Sequence, residues 1–301
     1  MNKKTDKTKN VKFIDLFAGI GGFHLAFHKT DARCVFISEW DEHARMTYER
    51  NFVKIEPELF KQGLFATGNN LFAGDITKIN AKDIPDFDVL CGGFPCQPFS
   101  QAGFKKGFSD TRGTLFHDII RIIKEKKPAA FFLENVRHLL NHDNGKTFEV
   151  IKKAITDELG YSFYYKIVKA SDYGLPQHRP RLFMVGFKNH QIKFEFPEPI
   201  KLKKTMSDIM GGHCNRKIGY TLRVGGRGSG LNDRRNWDTY LVNGKIKRLT
   251  SSEGKKLMGF PNNFEFPVTE TQAMKQLGNA VAVDAIYMVA QKIIDSLKSY
   301  D

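Results

Sequence analysis

Phe13-Ile14-Asp15-Leu16-Phe17-Ala18-Gly19-Ile20-Gly21-Gly22-Phe23 reads as a strand, a glycine turn and the start of a helix. Lys12 to Leu16 is the strand candidate, and its apolar run suits a strand buried on both faces. Glycines at the turn let a ligand approach backbone amides at a helix amino terminus, where negative charge is favoured. A dinucleotide fingerprint would place a third glycine at position 24, where His24 stands.

Outward from this unit the same rhythm repeats. Cys34 to Ser38, Phe87 to Cys91, Ala129 to Leu133, Tyr164 to Lys169 and Leu182 to Phe187 are further strand candidates. Between them Leu115, Ile119, Ile122 and Ile123 recur at helical spacing, as do Val150, Ile151, Ala154, Ile155 and Leu159. Alternating strands and helices predict an α/β fold with a mostly parallel sheet covered on both faces. The rhythm stops near Phe194-Glu195-Phe196-Pro197-Glu198-Pro199 and turns helical again from Thr271, with Val281, Ala285, Met288, Val289, Ile293 and Leu297 in one stripe. That stripe needs the large sheet as its partner. The chain is therefore expected to form one domain from 1–197 plus 269–301, interrupted by a smaller unit at 198–268.

The 301 residues carry a formal charge of +14, with 41% hydrophobic and 27% charged residues, as in an ordinary globular protein with a full core. The charge is concentrated. Residues 201–260 hold eight lysines and six arginines against Asp208, Asp233, Asp238 and Glu253, a net of +10. Arginines there alternate with glycines and an aromatic (Arg223, Gly225-Gly226-Arg227-Gly228, Arg234-Arg235-Asn236-Trp237), which favours entry into a nucleic-acid groove over a merely solvated face. No apolar run approaches a membrane span, and Met1 to Asn10 is polar and lysine-rich, so a cytosolic protein with no membrane partner is expected. Cys34, Cys91, Cys96 and Cys214 form no C-x-x-C pair, so neither a metal site nor a disulfide framework is expected.

Gly92-Gly93-Phe94-Pro95-Cys96-Gln97-Pro98-Phe99-Ser100 contains two glycines and two prolines that should end the preceding strand and leave Cys96 in a loop. Ligands of open parallel sheets bind at the carboxyl ends of strands, so Cys96 is either a nucleophile placed for chemistry or a small buried hydrophobe. Glu39, directly after the second strand, could accept two ribose hydroxyls, and Trp40 could stack on a base. Asp75 reads equally as a contact to an adenine amino group and as a helix cap.

In order along the chain, Phe17-x-Gly19-x-Gly21, Glu39-Trp40, Gly74-Asp75, Pro95-Cys96-Gln97, Glu134-Asn135-Val136, Gln177-x-Arg179-x-Arg181 and Gln276-Leu277-Gly278-Asn279 resemble the motifs of the DNA cytosine-5 methyltransferases, and most closely the short bacterial modification enzymes. The resemblance covers all but about residues 200–245. It implies a Rossmann-like sheet binding S-adenosylmethionine, with a small, basic target recognition domain. Phe17 and Trp40 would flank the adenine, Glu39 the ribose and Asp75 the adenine amino group. Gly19, Ile20, Gly21, Ile76, Pro95 and Leu115 would complete the cofactor contacts, with Asn279 and Val281 closing the pocket.

The resemblance further implies that the Cys96 thiolate adds to carbon 6 of cytosine, making carbon 5 nucleophilic, and leaves once the carbon 5 proton is removed. Glu134 would protonate or hold ring nitrogen 3, its pKa raised by burial. Arg179 and Arg181 alternate along an extended segment and can face one side of it. Arg181 would hold the cytosine carbonyl oxygen, with Arg179 in support. Duplex DNA is the expected partner, its target base rotated out of the stack. Ser100 and Arg112 would meet DNA beside Cys96, and Arg223, Arg227, Arg234 and Arg235 are candidate base readers or phosphate anchors. The chain would act as a monomer in the bacterial cytosol, alongside a restriction endonuclease that shares its target sequence. A catalytically silent DNA-binding remnant lacks support while Cys96 and Glu134 are intact. A transfer RNA cytosine methylase would carry a Cys-Phe-Thr signature that this chain lacks, and amino-methylating enzymes use a different Pro-Pro-aromatic loop.

Overall fold

The computed structural model describes residues 10–63, 70–95 and 115–300. Its first half runs β1 (Lys12–Leu16), α1 (Gly22–His28), β2 (Arg33–Ser38), α2 (Glu42–Phe52), β3 (Phe72–Ala73), β4 (Val89–Gly93), α3 (Leu115–Lys126) and β5 (Ala130–Val136). Then follow α4 (Lys146–Lys153), β6 (Tyr164–Lys169), β7 (Pro180–Phe187), α5 (Met206–Met210), β8 (Thr239–Val242), β9 (Lys245–Arg248), α6 (Ser251–Leu257), α7 (Glu270–Asn279) and α8 (Val283–Lys298).

Seven strands form one sheet in the order β3-β2-β1-β4-β5-β7-β6. β1 pairs in parallel with β2 on one side and β4 on the other, so the chain's winding reverses there and opens a crevice beyond the strands' carboxyl ends. The sheet is parallel through β5, whereas β7 runs antiparallel to both β5 and β6. Alternate residues of each strand feed two cores. Phe13, Val89, Cys91 and Phe132 face α1 and α8, and Ile14, Leu90, Phe131 and Leu133 face α3 and α4.

The first of these cores continues without a break into Met206, Trp237, Tyr240 and Leu249, so the basic segment is packed onto the α8 side of the sheet. β8 and β9 form a separate two-stranded sheet within that segment.

Two local expectations change. Gly92 and Gly93 do not end the strand; they are its last two residues. A Cβ on Gly92 would lie 3.1 Å from the Leu16 carbonyl and 3.6 Å from the Phe17 ring, so the glycine allows a close approach of β1 and the turn that follows it. The expected final helix is two helices. Ala280 and Ala282 are extended, with ψ of 160° and 107°, and break the run between α7 and α8. Glu270–Lys298 contains an 18-residue stretch apolar enough to resemble a membrane span, but 67% of that stretch is buried in the fold, where α8 packs on α1.

Candidate active site

The turn after β1 is strained to shape. Phe17, Gly19 and Gly21 have φ of 55°, 56° and 85°. At Gly21 a Cβ would lie 2.4 Å from the Phe52 ring, and at Gly22 it would lie 2.5 Å from Val281 Cγ2, so only glycine lets the turn sit against α2 and the α7–α8 break. The Gly19 amide donates to Glu39 Oε2 at 2.7 Å and the Asp41 amide to Oε1 at 2.8 Å, so one carboxylate braces the turns after β1 and β2. Burial raises the Glu39 pKa, and the Asp41 and Gly19 amides draw it part of the way back.

These turns wall a cavity of about 930 Å³ over the switch point. Phe17, Gly19, Ile20, Glu39 and Trp40 line one end, and Trp40 is 77% exposed. Asp75 and Ile76 line it too, and the Asp75 side chain accepts from the Thr77 amide at 3.0 Å and the Thr77 hydroxyl at 2.8 Å. The cap reading of Asp75 is therefore realised at the cavity wall. Pro95, Leu115 and Asn279 also line the cavity, whereas Gly21 and Val281 stand behind it and support its wall.

At the other end, β5 brings Glu134 opposite Gly93 of β4. A Cβ on Gly93 would lie 3.4 Å from Glu134 Oε2, so the glycine leaves the carboxyl room. Arg181 Nε is 2.9 Å from Glu134 Oε1, with both side chains largely buried. Burial raises the Glu134 pKa, and the guanidinium groups of Arg181 and Arg179 partly oppose the rise.

Arg179 and Arg181 both line the cavity, as their alternation suggested, but they serve different partners. Arg179 precedes β7 and turns its buried guanidinium to backbone, donating from Nη1 to the Leu222 carbonyl at 3.0 Å and from Nη2 to those of Gly278 (2.8 Å) and Ala280 (2.6 Å). Burial, with the Arg181 cation adding to it, lowers its pKa to about 9.

Three supporting residues were not assigned roles from sequence. Asn135 donates to the Phe94 carbonyl at 2.9 Å and fixes the backbone two residues before Cys96. Gln177 accepts from the Leu222 amide at 3.1 Å and donates to the Leu257 carbonyl at 3.1 Å. Arg45 holds the carbonyls of Glu39 and Ala73 at 3.0 and 2.7 Å, joining two turns of the cavity floor. Asn135 and Gln177 stood within quoted motifs; Arg45 carried no sequence signal, because its partners lie on other elements.

Cys96, Ser100 and Arg112 lie outside the described residues. In the basic segment Arg223 is exposed and lines the cavity, and Arg234 is exposed. Arg235 pairs with Asp233 at 2.8 Å. Arg227, expected among the DNA contacts, is engaged inward. It donates to the Leu249 carbonyl at 2.7 Å and approaches buried Asp238 at 3.5 Å and Glu270 at 3.6 Å. Among the described residues no cluster of side chains suits a metal.

The fold is shared with solved methyltransferases. One from S. pombe, Dnmt2, aligns with a TM-score of 0.72 at 19% identity over 96% of this chain and 99% of its own. A putative DNA modification methyltransferase encoded within an E. coli prophage aligns with a TM-score of 0.71 at 21% identity over 96% and 100%. These likenesses define the fold. The family model for C-5 cytosine-specific DNA methylases matches residues 11–223 and 214–295, and the chain belongs to that family. Type II methyltransferase M.SsoII of Shigella sonnei is 44% identical over 96% of this chain and 81% of that protein. M.HhaI of Haemophilus parahaemolyticus is 38% identical over 98% and 97%. The protein is accordingly a DNA cytosine-5 methyltransferase.

Proposed function

We propose that the chain methylates carbon 5 of one cytosine within a short duplex sequence, using S-adenosylmethionine and a transient bond between Cys96 and the flipped base. The cavity's polarity supports this reading. The acids Glu39 and Asp75 and the open face of Trp40 stand at one end, and Arg181 and Arg223 stand at the other. A cationic donor with an adenosine group fits the first set, and a base still joined to anionic DNA fits the second. The donor supplies an electrophilic methyl group when bound. Phe17, Glu39 and Trp40 would hold it, and the residues behind them keep that wall rigid.

The Glu134–Arg181 pair carries the chemical assignment. Cys96 follows directly on Pro95, which lines the same cavity. As the thiolate adds to carbon 6, negative charge develops toward ring nitrogen 3 and the carbonyl oxygen, and a carboxyl with a raised pKa and a fixed guanidinium suit those two positions. Carbon 5 then takes the methyl group. Loss of its proton and departure of the Cys96 sulfur restore the ring double bond.

Residues 198–268 would recognise the sequence, with exposed Arg223 and Arg234 toward DNA. Relatives named as Type II methyltransferases support a role in a restriction-modification system, in which the chain acts as a cytosolic monomer and a nuclease shares its target. The test is a duplex with 5-fluorocytosine at the target position. The fluorine cannot leave as the proton does, so a denaturation-stable adduct is expected in the presence of donor and is lost in Cys96→Ala. Absence of an adduct with the intact chain overturns the mechanism.

A further inference from the structure

Arg179 and Gln177 grip the same short stretch from two sides. Leu222 gives its amide to Gln177 Oε1 at 3.1 Å and its carbonyl to Arg179 Nη1 at 3.0 Å. The residue after it is Arg223, exposed at the cavity. Arg179 Nη2 holds the carbonyls of Gly278 and Ala280, on either side of Asn279, which lines the cavity. Val281 follows and packs on Gly22 of the glycine turn.

Packing joins the same two segments a second time. A Cβ on Gly278 would lie 2.6 Å from the Arg223 carbonyl carbon and 2.8 Å from the Val224 amide nitrogen, so the two backbones touch with no side chain between them. Close-packed backbones bridged by one buried cation have little freedom to slide separately. The Arg179 charge has no carboxylate within ion-pair distance among the described residues; it is spent on three carbonyls, and its buried Nε is unpaired.

We propose that Gln177 and Arg179 are positioning residues that lock the recognition stretch at Leu222–Arg223 to the cofactor-closing turn at Gly278–Val281, so that target DNA and methyl donor each tighten the binding of the other. The proposal rests on the cofactor and DNA assignments above. DNA that seats Arg223 fixes Leu222, and through the clamp it fixes the turn that closes the donor pocket. Linkage requires the same factor in both directions.

The test measures affinity for S-adenosylhomocysteine by calorimetry, alone and with a saturating duplex that carries the target found by methylation mapping of DNA from cells expressing the chain. The intact protein should bind the probe about 10-fold more tightly with the duplex, within the usual range of such couplings. Arg179→Lys keeps a cation near Glu134 but cannot span three carbonyls. Gly278→Ala forces the backbones apart and leaves Arg179 in place. Each should bring the ratio to within about twofold of one, while thermal melts show a folded chain. Gln177→Glu, which sets a carboxyl against the Leu257 carbonyl, provides a third variant should one of the others not fold.

Equal loss of affinity with and without DNA, with the ratio preserved, would mean that the clamp only stabilises the fold and would overturn the proposal. A ratio near one in the intact protein would do the same. Failure of the intact protein to bind the probe at all would instead remove the cofactor assignment, and this proposal with it.

Discussion

Glu134 and Arg181 meet diagonally across two antiparallel strands: Val136 is the register partner of Arg181, and Glu134 lies two residues back on the same face. Their 2.9 Å contact is therefore set by sheet geometry and does not depend on a flexible loop. The two groups are held in place before any base arrives.

Glu134→Gln is expected to lower kcat by roughly 10²–10⁴-fold and to change DNA affinity little, because the lost proton matters only as the ring becomes charged. Arg181→Ala should act in the same direction, and the double variant should lose much less than the product of the two. Single-turnover methyl transfer with labelled donor measures all three. Fully multiplicative losses would show that the pair does not act as a unit.

Beneath the glycine turn lies a buried polar network whose members titrate in opposite directions. Burial, with the nearby His28 adding to it, lowers the His24 pKa to about 3, and burial raises that of Asp15 well above the usual range. Tyr48 stands between them, its hydroxyl 2.8 Å from His24 Nδ1 and 3.4 Å from Asp15 Oδ2. Between about pH 4 and 6.5 the unfolded chain binds more protons at His24 than the folded chain does, and above about pH 4 it binds fewer at Asp15, so the two groups act on stability in opposite directions. Asp15→Asn should expose the histidine contribution, and the variant's stability should then fall on acidification through this window more steeply than the parent's, with His24 contributing about 1.4 kcal/mol per pH unit. His24→Gln should give the opposite slope, with stability falling as pH rises from about 4. Urea unfolding at several pH values tests both, and parallel curves for parent and variants would refute the assignment.

The two tryptophans report on different places. Trp237 is buried and donates to the Gly225 carbonyl at 3.0 Å, whereas Trp40 is 77% exposed at the cavity rim. Donor binding should quench and blue-shift the Trp40 emission, and Trp40→Phe should abolish that change while leaving the Trp237 signal in place. A response that survives in Trp40→Phe would place the donor elsewhere.

Arg227→Ala should destabilise the fold by about 1–2 kcal/mol, since the Leu249 carbonyl loses its donor and buried Asp238 keeps only Arg248, at 3.3 Å, of its two guanidinium neighbours. Its effect on DNA should be the same for target and scrambled duplexes. Arg223→Ala should cost about 1–3 kcal/mol on the target alone. Lys203 and Lys204, changed together to alanine, should weaken both duplexes and flatten the dependence on salt. Anisotropy titrations over a salt series separate these outcomes, and a target-specific loss in Arg227→Ala would return it to the base readers.

The sequence by itself determined the α/β rhythm, the glycine turn and the family motifs. Those signals are local: a doubly buried strand is a short apolar run, and a turn with positive φ calls for glycine within a few residues. The six strand candidates correspond to β1, β2 and β4–β7, with ends shifted by up to three residues, while β3 was missed because two residues carry no period. The tertiary structure alone decided which side chain serves which partner. Arg179 and Arg181 are two residues apart and chemically identical, yet one binds backbone at Leu222, Gly278 and Ala280 and the other a carboxylate on β5. Arg227 lies in an arginine-glycine run that suggests DNA, yet it spends its charge on Asp238, Glu270 and Leu249. These partners stand 11 to 101 residues away along the chain, and a side chain's hydrogen bonds are chosen by what folding brings within about 3 Å, which local composition does not encode.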